Sequence, residues 1–141
     1  MKKTILFALP FCLAFSMVNA TAATKDDVVH AAEVASANAA TLSDRIGNGE
    51  KLYLTNCSAC HQVNGEGIPG VFKPITGSPI AVGDVAAHID IVVNGKASTA
   101  MQAFGEQLNA VDLAAVITYE RNGFGNNAGD MVQPADITAA K

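Results

Sequence analysis

Cys57 and Cys60 stand three residues apart and His61 follows at once, so two thiols and an imidazole share little more than one turn of backbone. Cys57-Ser58-Ala59-Cys60-His61 is the C-x-x-C-H pattern of covalent c-type haem attachment. Two thiols at this spacing near a helix end reach the two vinyl groups on one porphyrin edge as thioethers, while the next residue turns its imidazole toward the iron. Tethering makes the proximal ligand nearly intramolecular. It also consumes both thiols, which in an oxidising compartment would otherwise pair as a disulfide. Two rival chemistries fit less well. A thioredoxin-like pair wants a βαβ setting, and no strand precedes this one. Zinc needs two further ligands from His30, His88 or carboxylates, and no second close pair is present.

A haem iron held by His61 takes its sixth ligand from elsewhere, usually a thioether or a second imidazole. Met101 lies in a stretch, Lys96 to Gly105, that reads as non-helical, and a loop there can cross the open face of the haem. His88 is the competitor, set beside the apolar stripe of a helix and so less free to swing over the iron. An open sixth site is the third option. Met131 falls in a polar segment and is expected on the solvent side, and His30 has no role beyond a surface contact.

The elements that must position these groups all read as helices. Thr24 is an N-cap candidate for an Ala-rich helix or linker over 23–42, with Asp27 placed to close a capping box. The compact domain is expected over 43–124, beginning near Ser43, with Asn48-Gly49-Glu50 opening a helix that delivers Cys57 and Cys60 at its last turn. Residues 64–80 carry Gly65, Gly67, Pro69, Gly70, Pro74, Gly77 and Pro79 and read as loop. A loop of that length in a small domain needs something to wrap, and a cofactor supplies it. Asp84 to Val93 places Val85, Ile89, Val92 and Val93 at helical offsets before Asn94-Gly95. Asn109 caps a further helix to Arg121, with Leu113, Val116 and Ile117 on one face. No segment alternates long enough for a strand. Residues 125–141 read as a polar tail laid over the surface or disordered.

Composition bounds the rest. The 141 residues, half of them apolar, suit one small core, and 9 basic against 13 acidic side chains argue against nucleic acid as a partner. Met1-Lys2-Lys3, the apolar run Ile5 to Val18 and the small residues that follow have the order of a signal peptide over 1–22, cleaved after Ala20 or Ala22. Cys12 belongs to that leader, and the expected compartment is the periplasm.

With these residues in place the sequence resembles a class I cytochrome c over most of 44–124. The matching runs are Gly49-x-x-x-Tyr53-x-x-x-Cys57-x-x-Cys60-His61, Gly65-x-Gly67-Ile68-Pro69-Gly70-Val71-Phe72, Met101-x-Ala103-Phe104 and Leu113-Ala114-Ala115-Val116-Ile117-x-Tyr119. More narrowly, Val116 to Asn122, Gly125-Asn126-Asn127 and Val132 to Asp136 are similar to the cytochrome c domain fused to subunit II of some haem-copper oxidases, although no copper-centre domain is present.

The resemblance implies an all-α fold wrapped around one haem c attached through Cys57 and Cys60, with His61 and Met101 as iron ligands and an extra N-terminal helical segment. It implies that Gly49 and Tyr53 cross the last helix near Tyr119. It also implies that the Pro74 carbonyl accepts the hydrogen bond from the far nitrogen of His61. Two positions depart from the pattern: Gln102 replaces the proline that commonly follows the ligand methionine, which weakens the rigidity of that loop, and Lys73 replaces a proline before Pro74, adding charge near the haem edge.

The function so implied is not enzymatic. It is that of a periplasmic monohaem electron carrier between respiratory complexes or dehydrogenases and a terminal oxidase, meeting membrane complexes and other redox partners transiently. The alternatives are a dedicated cytochrome c subunit of a periplasmic dehydrogenase or oxidase complex, a ligand sensor or peroxidase if the sixth site is open, and a homodimer formed through residues 24–40.

Overall fold

The computed structural model describes residues 24–141. The signal-peptide reading of 1–22 lies outside the described residues, as do the side chains of Asp27 and His30. Among the described residues seven helices follow one another: α1 Lys25–Asn38, α2 Leu42–Asn56, α3 Ser58–His61, α4 Pro79–Val82, α5 Val85–Asn94, α6 Ala110–Asn122 and α7 Pro134–Ala140. The fold is all-α. Among the described residues the only strand-like pairing is an isolated bridge between Ile68 and Phe72, and no helix is long and apolar enough to cross a membrane.

Helix α2 begins at Leu42, about two turns before Gly49, where the sequence suggested its opening. Thr41 is the reason: its hydroxyl accepts from the Asp44 N–H at 3.2 Å while its own N–H donates to the Asp44 carboxylate at 3.1 Å, closing a capping box. The other starts fall where their caps stand. Asp84 accepts from the Ala86 N–H at 2.9 Å to open α5, and Asn109 accepts from the Asp112 N–H at 2.9 Å to open α6. Helix α5 stops at Gly95, whose φ of 72° is the left-handed conformation that favours glycine. Ser78 and Pro79 cut the expected loop two residues short by starting the one-turn α4.

Helix α6 is the centre of the core. Leu113, Val116 and Ile117 are buried as their spacing requires, but so is every residue from Leu113 to Arg121, because α2, α4, α5 and α7 surround the helix. Against it lie Tyr53 of α2 and Ile89, Val92 and Val93 of α5. Tyr53, Tyr119 and Phe124 meet as an aromatic trio with centroids 4.8–5.5 Å apart.

Residues 125–141 are not a surface tail. Gln133 donates its N–H to the Asp136 carboxylate at 2.8 Å and Pro134 occupies the first turn, so a short helix forms. It sends Val132, Pro134 and Ile137 fully into the core. Val132 is drawn in by its N–H, which donates to the Thr118 hydroxyl at 3.0 Å, and Arg121 clamps the approach through Asp130 at 2.6 and 2.7 Å. Met131 is only half-buried.

Candidate functional site

Cys57 caps the C-terminus of α2 and Cys60 lies one turn on in α3, both half-buried and both free thiols. Burial pushes the Cys57 thiol far above its ordinary range, and the neighbouring Glu120 carboxylate adds to that shift. His61 ends α3. Its Nδ1 meets the Lys73 carbonyl at 2.8 Å, and among the described residues nothing bonds Nε2, the nitrogen left for a metal.

That carbonyl corrects the expectation placed on Pro74. The acceptor is one residue earlier, in the peptide bond joining Lys73 to Pro74. The proline ring disfavours helical backbone at Lys73, so the Lys73 carbonyl is not taken up by a helical turn and meets the imidazole instead. The approach depends on Gly67: at φ 66°, a Cβ there would lie 2.8 Å from the Lys73 oxygen and closer still to that of Phe72. Its N–H donates to the His61 carbonyl at 2.9 Å, and the Ile68 N–H donates to Phe72 at 2.9 Å. The 62–78 loop is therefore folded tightly against the histidine. Tyr53 fixes its first residue, its hydroxyl donating to the Gln62 carbonyl at 2.6 Å.

Met101 sits half-buried on the loop between α5 and α6 and packs against the core. His88 is placed differently. It is 3% exposed, and its Nε2 lies 2.9 Å from Oε2 of the equally buried Glu120, so this ring is occupied by α6. Its Nδ1 has no partner among the described residues. The described residues hold no cluster of three or more His, Cys, Asp or Glu placed to bind a metal ion.

The residues present suit a haem. The donor set is two thiols, one imidazole with its tautomer-setting bond made, and one thioether. The chain flanking them also leaves apolar side chains uncovered, with Leu54, Ile68, Val71, Ile80 and Val82 between 37% and 68% exposed.

Sequence reading missed Asn126 and Glu120. Asn126 is 5% exposed and ties three segments together: its side chain donates to the Ile75 and Glu120 carbonyls at 3.1 and 2.7 Å and accepts from the Gly77 N–H at 2.8 Å. Nothing local marks it, since Gly125-Asn126-Asn127 has the composition of any surface turn. Glu120 is buried on a helix position that charge alone would assign to solvent.

Residues 44–119 match the family described as cytochrome c oxidase, cbb3-type, subunit III. Among curated relatives, the chain is 31% identical over 99 residues to the cytochrome c subunit of a quinone-type alcohol dehydrogenase from Gluconobacter oxydans, covering 63% of this chain. It spans only 21% of the length of that relative. A cytochrome c6 from Diacronema lutheri is 35% identical over 77 residues, which is 52% of this chain and 90% of the relative. A cytochrome c-552 from Thermus thermophilus is 53% identical over 30 residues, 21% of this chain and 22% of the relative. The oxidase subunit named is III, so the narrower likeness to the domain fused to subunit II is not the one these matches return.

Proposed function

The chain belongs to the family of cytochrome c oxidase, cbb3-type, subunit III, and from that premise we propose that it is a periplasmic monohaem c-type cytochrome that carries electrons between respiratory complexes or dehydrogenases and a terminal oxidase. Its relatives include cytochromes c6 and c-552, which are typically non-catalytic electron carriers. The observation that carries the reading is the bond between His61 Nδ1 and the Lys73 carbonyl at 2.8 Å. It sets the tautomer, fixes the ring plane and leaves Nε2 as the donor.

In this reading Cys57 and Cys60 hold haem c through two thioethers, His61 and Met101 bind its iron, and residues 1–22 direct export. The haem supplies a one-electron ferric/ferrous couple. The protein's part is to keep both ligands in place, so that little moves when charge changes, and to wall off water with apolar surface. Lys73, rather than Pro74, provides the carbonyl that strengthens His61 as a donor. Neutral Met101 favours the ferrous state relative to a second imidazole. The acidic chain suits a basic docking face on a transient partner.

Mass spectrometry and optical spectroscopy of the matured protein test this. Expected are the mass of the polypeptide plus one haem, and a ferric thioether-to-iron band that disappears in Met101→Ala. A colourless protein with the bare polypeptide mass would overturn the proposal.

A second reading, a cytochrome subunit dedicated to a dehydrogenase complex, draws on the alcohol dehydrogenase relative and on Val28 and Val29 of α1, which are 57% and 65% exposed. Co-purification in fixed stoichiometry with a dehydrogenase would favour it, and a free monomer would favour the carrier.

A further inference from the structure

The Met101 loop lacks the proline that would stiffen it, Gln102 standing in that place, yet its backbone is held on both sides of the methionine. The Lys96 N–H donates to the Met101 carbonyl at 3.0 Å. The Met101 N–H donates to Thr99 Oγ1 at 3.1 Å, and the Thr99 hydroxyl donates in turn to the Lys96 carbonyl at 2.8 Å. A single hydroxyl therefore closes a ring from Lys96 through Thr99 to Met101.

The rest of the loop shows why that hydroxyl is needed. Lys96 to Thr99 is a turn, with the Thr99 N–H donating to the Lys96 carbonyl at 3.2 Å and Ser98 at a φ of 61°. That corner of the turn favours glycine, so a serine there is strained and tends to relax. At Gly95 a Cβ would lie 2.8–2.9 Å from backbone atoms of Met101, Gln102 and Ala103, so only glycine lets the two arms close. Beyond Met101 the chain is anchored to the last turn of α5, with the Phe104 and Gly105 N–H groups donating to the Val92 and Val93 carbonyls at 3.1 and 3.0 Å. All these anchors are main chain except the Thr99 hydroxyl.

We propose that Thr99 is the positioning residue for Met101: its hydroxyl, bridging the Lys96 carbonyl and the Met101 N–H, holds the thioether on the iron in place of the absent proline. The proposal rests on the reading of Met101 as axial ligand. It deepens that reading by naming the side chain outside the ligand set that keeps the sixth position closed. Without the hydroxyl, the strain at Ser98 relaxes, the Met101 peptide loosens, and an added ligand competes more easily for the iron.

The test uses the holoprotein in three forms: wild type, Thr99→Val, which keeps the branched shape without the hydroxyl, and Thr99→Ser, which keeps the hydroxyl without the methyl. The readouts are the ferric thioether-to-iron band, imidazole binding by titration, and exchange of the Met101 amide hydrogen. Thr99→Val is expected to bind imidazole about tenfold tighter, the factor that one ordinary hydrogen bond supplies, with Thr99→Ser within about twofold of wild type. The Met101 amide should exchange faster in the valine variant alone. Thr99→Ala serves the same comparison if the valine variant fails to take up haem. Unchanged imidazole affinity in Thr99→Val, with the band present in the wild type, overturns this proposal and leaves Met101 as ligand. Absence of the band in the wild type overturns the ligand reading itself.

Discussion

Gly49 of α2 lies directly on the backbone of Ala115 in α6: a Cβ at Gly49 would collide with the Ala115 carbonyl oxygen and sit 2.7 Å from Cβ of Tyr119. Helices α2 and α6 cross at this point, and the crossing aims the end of α2, with Cys57, toward the site. Gly49→Ala is therefore expected to destabilise the protein by about 2 kcal/mol or more, an overpacking cost, as read from urea denaturation. Gly47, two residues earlier in the same helix, has nothing within 4 Å of a built Cβ. Gly47→Ala is expected to stabilise by about 0.5–1 kcal/mol. The two alanines should thus act in opposite directions.

Gly67 controls His61 from a distance in sequence. Its replacement by alanine would displace the Phe72 and Lys73 carbonyls and with them the acceptor of the His61 Nδ1 bond. Under the proposed ligation of haem iron by His61, an imidazole without that acceptor is a weaker donor and favours ferrous iron. The midpoint potential of Gly67→Ala should rise in potentiometric titration, whereas Lys73→Ala, which leaves the main-chain carbonyl in place, should stay close to wild type.

The pair His88 and Glu120, 2.9 Å apart and each about 95% covered, joins α5 to α6. Removing one partner of a buried hydrogen-bonded pair leaves the other unsatisfied, so Glu120→Ala should cost about 1–3 kcal/mol. Replacing both by apolar residues, His88→Phe with Glu120→Leu, should recover much of that loss in thermal unfolding. A double variant as unstable as the single one would show that the pair itself, not the stranded polar group, is what matters.

Arg121 holds Asp130 through two bonds, at 2.6 and 2.7 Å, and this hydrogen bonding lowers the Asp130 carboxyl below its ordinary 3.8. A carboxyl lowered on folding stabilises the protein fully above its unfolded-state value and loses that contribution as pH falls through the folded one. Urea midpoints should drop below about pH 4, and the drop should be shallower in Asp130→Asn. Asp130 is partly exposed, so added salt should weaken the effect.

The chemistry of the site was legible because it is local. Cys57, Cys60 and His61 are neighbours in the chain, and the caps Asp84 and Asn109 act on the next residues, so spacing alone carries the information. Thr41 was passed over although its capping partner Asp44 is just as close, because Gly49 drew the helix start inward. The glycine at Gly67 was visible. The carbonyl it admits was not, since Lys73 and Pro74 differ only in which peptide group the folded loop turns toward the ring.

Residue order by itself determined the Cys57-x-x-Cys60-His61 motif, the all-helical character, and the presence of a methionine between the last two expected helices. The tertiary structure decided the rest. Packing against α6 turned an apparently polar tail into α7, because Val132 and Ile137 had no core to enter until Thr118 and Arg121 built one side of it. It buried Glu120 with His88, and it closed the Met101 loop through one hydroxyl. The first two depend on partners 14 and 32 residues apart, and whether such groups meet is fixed by how the helices cross, which short-range pattern does not encode.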